Sequence, residues 1–202
     1  MIDPKEISGA VLAGGKSSRM GRDKALIEIS GVPLIQNSIN LLRNFFEDVF
    51  VAGGDDRIRN ACDAPIYEDE FPGYGPIAGL HTALKNAQNE SVLLISVDMP
   101  FVRRQVLRQI CLGSDAGAVN IPNCSGELQP LCAIYPKSIL PKVEEILKST
   151  ADPDLAGDAL SLRRLADEYG REVELSDCLD AFFNINTPDD LEAARKMMEE
   201  MG

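Results

Sequence analysis

The run Gly9-Ala10-Val11-Leu12-Ala13 carries no polar side chain and stops abruptly on the pair Gly14-Gly15. A strand with one wet face alternates apolar and polar residues, and this segment does not, so Ile7 to Leu12 reads as a buried first strand. The two glycines lack a Cβ and let successive main-chain N–H groups turn toward a ligand. Lys16, Arg19, Arg22 and Lys24 follow at once, although the formal net charge of the chain is −12. Buried strand, glycine turn and dense positive charge together describe a loop that cradles a polyphosphate. A solvated basic surface loop is the competing reading of the same residues.

Two familiar phosphate loops do not fit. A P-loop ending at Gly15-Lys16-Ser17 requires a glycine where Ala10 stands, inside the apolar run. Around Gly73, Gly75 and Gly79 the third glycine comes one residue late for a dinucleotide fingerprint.

Apolar and amphipathic segments alternate along the rest of the chain. Strands are expected at Val49–Ala52, 64–67, Val92–Val97, 116–121, 131–135 and near Val173. Helices are expected at 33–46, 77–87, 103–112, 137–148 and 160–169, with a last helix opening at Thr187-Pro188-Asp189-Asp190 in cap-then-proline order. Such alternation implies a mostly parallel sheet with helices on both faces, an α/β fold in three layers. With 202 residues and no linker or repeat, one domain spanning 1–202 is expected.

Several function classes are excluded early. His81 is the only histidine, which removes Ser-His-Asp and multi-histidine metal chemistry, and a helical surface or packing role is expected for it. The five cysteines (Cys62, Cys111, Cys124, Cys132, Cys178) form no C-x-x-C and signal neither a zinc site nor a disulfide framework. They are expected to be reduced, partly buried side chains. The acidic balance argues against nucleic-acid or membrane partners. No signal-peptide pattern and no membrane-length apolar run occurs, so a cytoplasmic protein is expected.

Ligands in such sheets bind at the carboxyl ends of strands. Asp98 follows the most apolar strand and precedes Met99-Pro100, where a carboxylate can hold Mg²⁺ against substrate phosphates. It can equally cap the next helix. The loop Asp69 to Gly79 can close around a base or ribose, or simply connect a strand to a helix. The run Phe183-Asn184-Ile185-Asn186-Thr187-Pro188 offers two neutral amides near a strand end.

Taken in order, five blocks resemble the molybdenum cofactor guanylyltransferases of the nucleotidyltransferase superfamily. They are Leu12 to Lys24, Gly75-Pro76-Ile77-Ala78-Gly79, Val97-Asp98-Met99-Pro100, Gln129-Pro130-Leu131, and Asn184 to Leu191. The resemblance implies a Rossmann-like, GT-A-like nucleotidyltransferase fold and transfer of GMP from GTP to molybdopterin, with Mg²⁺ as cofactor. Other molybdenum cofactor biosynthesis proteins would be partners. It further implies that Leu12, Ala13 and Gly14 hold the guanine through the main chain, within a nucleotide site that includes Gly15, Lys16, Lys24, Asp69 and Asp98. Asp98 would ligate the metal. Arg19 and Lys24 would stabilise the transition state. The chain departs from the family at Ala52, where a base-side asparagine falls, and at Gln129, where some members carry histidine. The same fold also serves transferases using CTP or another phosphorylated acceptor. A GTP-binding scaffold without chemistry is the non-enzymatic alternative.

Overall fold

The computed structural model describes residues 2–13, 23–153, 160–178 and 180–201. Among them the chain forms an eight-stranded sheet, a two-stranded hairpin and six α-helices. The strands are β1 (Ile7–Leu12), β2 (Glu28–Ile29), β3 (Val32–Pro33), β4 (Val49–Ala52), β5 (Ile66–Tyr67), β6 (Ser91–Ser96), β7 (Val119–Cys124), β8 (Glu127–Leu128), β9 (Cys132–Pro136) and β10 (Gly170–Leu175). The helices are α1 (Leu34–Leu42), α2 (Pro76–Asn86), α3 (Arg104–Gly113), α4 (Leu140–Ser149), α5 (Leu162–Tyr169) and α6 (Pro188–Met201).

The main sheet runs β10-β7-β9-β6-β1-β4-β5, with β8 paired to β7. β1 lies parallel between β4 and β6, whereas β9 is antiparallel to both β6 and β7. The mostly parallel α/β architecture expected from the sequence is therefore present. The layers follow from strand periodicity. Ile7 and Val11 of β1, with Leu93 and Ile95 of β6, face a core built with α1, α3 and α6. Ala10, Leu12, Val92 and Leu94 point the other way, into a core built with α2, α4 and α5. Every residue of β1 and β6 is buried, which explains why neither segment shows polar alternation.

Two turns depend on glycine. Ser30 and Gly31 both have positive φ (54° and 77°) and form the two-residue turn that joins β2 to β3. Gly75, at φ 67° and ψ −154°, occupies a region closed to residues with a Cβ, and it delivers Pro76 to the first position of α2. Gly79 acts differently: a Cβ there would overlap Leu12 Cδ1 across the α2–β1 contact.

One sequence expectation is corrected. Cys124 and Cys178 are joined in a disulfide with a Cα–Cα distance of 6.0 Å, while Cys62, Cys111 and Cys132 are free. The partners lie far apart in sequence at unremarkable spacing, and the parallel pairing of β10 with β7, which sets Leu175 beside Cys124, brings them together. Burial holds the Cys111 thiol up at about 11 and the Cys132 thiol at about 12, so both stay protonated and inert at neutral pH.

Candidate active site

The carboxyl ends of β1 and β6 are stitched together. Val97 donates its N–H to the Leu12 carbonyl at 3.1 Å, and Ala13 donates to the Ala52 carbonyl at 3.0 Å. Of the main-chain groups expected to hold a base, the Leu12 carbonyl and Ala13 amide are thus committed to the sheet. Gly14, Gly15, Lys16 and Arg19, also expected in the site, lie outside the described residues, as does Arg22.

Lys24 is placed by its neighbours. Asp23 accepts the Ala25 N–H at 3.0 Å and caps a short 3₁₀ turn, while Ala25 and Ile27 are fully buried and pin the turn to the core. The Lys24 side chain then reaches across the sheet edge. Its ammonium donates to Asp98 Oδ2 at 2.9 Å and to Asn186 Oδ1 at 2.7 Å.

Asp98 lies two residues past β6 and does not cap α3, whose cap position is Arg103. Its carboxylate is oriented by the Ser96 hydroxyl, which donates to Oδ1 at 2.6 Å. Its main-chain carbonyl accepts from the Ile185 N–H at 3.0 Å, which docks the segment 180–187 beside the end of β6. Asn186 is held in turn by Asp190, whose Oδ2 accepts the N–H groups of Asn186 and Thr187 at 2.9 and 2.8 Å, while Thr187 Oγ1 accepts the Asp190 N–H. This reciprocal cap opens α6. The sequence marked Asn186 as one of two neutral amides at a strand end, able to contact magnesium-bound water or phosphate. Its contact with Lys24 and the roles of Ser96 and Asp190 come from the fold.

Among the described residues no group of three or more His, Cys, Asp or Glu side chains converges as a metal cage. Among the described residues, the Asp98 carboxylate and the Asn186 amide oxygen at this edge both meet one cation, the Lys24 ammonium. A hard divalent ion held here would complete its shell with water and phosphate oxygens, as magnesium commonly does.

Asp69 follows β5 at the same sheet edge, two strands from β1. Its Oδ1 accepts the Thr82 hydroxyl at 2.7 Å, so the carboxylate leans on α2. Burial raises its pKa, against the Thr82 hydrogen bond and the nearby His81, which lower it. The folded protein therefore takes up this proton more readily than the unfolded chain. The stabilising contribution is complete below the unfolded value of about 3.9 and is lost as pH rises through the raised folded pKa. Asp69→Asn is accordingly expected to raise the melting temperature at pH ~7 and to change it little at pH ~4. Thermal melts at the two values check this, and a lower melting temperature for the variant at neutral pH would contradict it.

His81 is 2 % exposed, with Phe71 edge-on at 5.1 Å and Glu144 Oε1 3.8 Å from Nε2. Burial lowers its pKa, so it is neutral at physiological pH and serves packing, as expected. Gln129, Pro130 and Leu131 lie beside β6, the Leu131 carbonyl accepting the Ser96 N–H at 2.8 Å. Pro130 and Leu131 line a cleft of about 440 Å³ whose other walls include Tyr74, Pro76, Leu162 and Arg163. Ala52 is fully buried under this edge and presents no polar group to it. No helix among the described residues is long and apolar enough to cross a membrane.

Residues 9–168 match the family described as the MobA-like NTP transferase domain. A probable molybdenum cofactor guanylyltransferase of Pelotomaculum thermopropionicum is 34% identical over 197 residues, covering 96% of this chain and 94% of that protein. The molybdenum cofactor guanylyltransferase of Vibrio atlanticus is 34% identical over 199 residues, covering 95% and 96%. The crystal structure of molybdopterin-guanine dinucleotide biosynthesis protein A from Archaeoglobus fulgidus superposes with a TM-score of 0.78 at 26% identity, covering 96% of this chain and 99% of that one. The strand-end geometry and these likenesses converge: the chain belongs to the molybdenum cofactor guanylyltransferase family, built on a MobA-like NTP transferase domain, and is a nucleotidyltransferase.

Proposed function

We propose that this chain, acting as one catalytic unit, transfers GMP from GTP to the terminal phosphate of molybdopterin, with or without bound molybdenum, and releases pyrophosphate. The observation that carries this reading is the meeting of Lys24, Asp98 and Asn186 just past the carboxyl end of β6, the parallel neighbour of β1. An acceptor phosphate is already an anion, so its oxygen can attack the α-phosphorus of GTP without a strong general base. The bond between the α-phosphorus and its bridging oxygen to the β-phosphorus breaks, and that oxygen leaves with the pyrophosphate. A chain whose only histidine is buried and neutral suits such a reaction.

The chemical demand is to hold two anions together and to neutralise charge on the leaving group. Asp98, oriented by Ser96 and helped by the Asn186 amide, would hold Mg²⁺, which when bound would supply positive charge to the phosphates. Lys24 and Arg19 would stabilise the transition state, and Lys16 would steer the triphosphate. The cleft beside Pro130 and Leu131 would take the acceptor, its apolar walls facing fused rings and Arg163 standing at its lip. The reaction would take place in the cytoplasm.

Selectivity for guanine is proposed to rest on Gly14. Cytidylyl-transferring relatives commonly carry alanine at that position, and a missing Cβ leaves room and main-chain access for a purine. Calorimetry with GTP, CTP, ATP and UTP in the presence of Mg²⁺ should give a clear GTP preference. Gly14→Ala should reduce turnover with GTP more than with CTP. Preferred binding of CTP would instead favour a cytidylyltransferase of the same fold.

A further inference from the structure

Asp98 Oδ2 and Asn186 Oδ1 come from different elements, yet both point at the Lys24 ammonium, 2.9 and 2.7 Å away. A divalent ion bridging the same two oxygens would lie about 2.0–2.6 Å from each, within the volume the ammonium fills. The two cations cannot share that position. We infer that the Lys24 ammonium is the resident occupant of the divalent-ion site, and that ion and ammonium exclude one another there, so the ion seats by displacing the ammonium and phosphate favours the exchange by drawing the ammonium away. This inference rests on the assignment of Asp98 as the metal ligand made above.

The local structure supports a lysine that changes partners over a fixed pair of oxygens. The oxygens are held from behind: Ser96 orients Asp98, the Ile185 N–H holds the Asp98 main chain, and Asp190 fixes the Asn186 main chain. The Lys24 turn is anchored by Asp23, Ala25 and Ile27, but its charge sits at the end of a four-carbon stem that can swing. The Lys24 and Asp98 side chains are only 19% and 13% exposed, so a carboxylate left there without a cation would be poorly compensated by water. The ammonium keeps the ligands organised while no nucleotide is bound. Phosphate oxygens offer it a stronger partner and free Asp98 for the ion. Ion and nucleotide affinities are then coupled, each raising the other by the same factor.

Two measurements on the intact chain test this. Binding of Mn²⁺ alone, followed by electron paramagnetic resonance, is expected to tighten by at least about tenfold in Lys24→Met, because a positive charge within about 3 Å of the site is gone. In the unsubstituted protein, reductive methylation of the Lys24 amine, read by mass spectrometry, is expected to accelerate several-fold when saturating Mg²⁺ alone displaces it. Unchanged Mn²⁺ affinity in a folded Lys24→Met overturns the inference. So does a labelling rate that does not respond to Mg²⁺, a result that decides the matter even if the variant does not fold. Asp98→Ala separates the two levels: it should abolish Mn²⁺ binding, and retained binding would remove the metal assignment itself, not merely the role of the lysine.

Discussion

Asp98→Ala is expected to lower nucleotidyl transfer by about 10³-fold or more, a loss of roughly 4 kcal/mol of transition-state stabilisation. The expectation follows from how many things this carboxylate does. It faces the Lys24 ammonium at 2.9 Å, takes the Ser96 hydroxyl at 2.6 Å, and stands where the sheet edge can present a divalent ion to phosphates. Alanine removes the charge that would hold the ion and leaves Lys24, among the described residues, bonded to Asn186. The fold should survive, since the contact that docks Ile185 is made by the Asp98 carbonyl and not by its side chain. Pyrophosphate release from GTP and molybdopterin, with circular dichroism as a control, gives the measurement. Asp98→Asn keeps the shape and the Ser96 contact but loses the charge, and should be nearly as inactive. Turnover within a few-fold of the unsubstituted protein in either variant would move the catalytic centre elsewhere.

The disulfide carries the largest stability prediction. It closes a loop with a sequence separation of 54 residues, for which chain entropy alone gives about 4 kcal/mol. The double substitution Cys124→Ser with Cys178→Ser is expected to lower the unfolding free energy by an amount of that order. The melting temperature should fall by roughly 10 °C, given about 2–4 °C per kcal/mol for a chain of this size. Dithiothreitol should do the same to the unsubstituted protein and nothing further to the double variant. The bridge also ties the end of β7 to the start of the segment that carries Ile185 to Asp98 and Asn186 to Lys24. Reduction should therefore loosen the active site before the sheet, visible as faster amide exchange at Ile185 than at Ile95. Equal stability with and without reductant would show that the two thiols contribute no covalent constraint in solution.

Much of the frame was legible in the residues. β1, β4 and β6 were readable because strands covered on both faces lose their polar alternation, and the start of α6 because Thr187 and Pro188 stand in cap-then-proline order. The β2–β3 hairpin was missed. Its strands are two residues long, too short to show a period, and only the positive φ angles of Ser30 and Gly31 reveal the turn. The family resemblance implied Lys24 and Asp98 as site residues, and they do meet. Asp69 reaches the same edge, but its carboxylate is engaged by Thr82, which no sequence spacing announces.

By itself, then, the chain's order of residues dictated the layered parallel sheet and the strand end at which chemistry would gather. Periodicity and turn chemistry are local properties and can be read locally. Which side chains face one another across that edge was settled by the fold alone. Lys24 finds Asn186, Ser96 aims Asp98, and Cys124 reaches Cys178 because strands distant in sequence are neighbours in the sheet. Contacts of that kind are fixed by the packing of two cores on opposite faces of the sheet, and no short stretch of sequence encodes them.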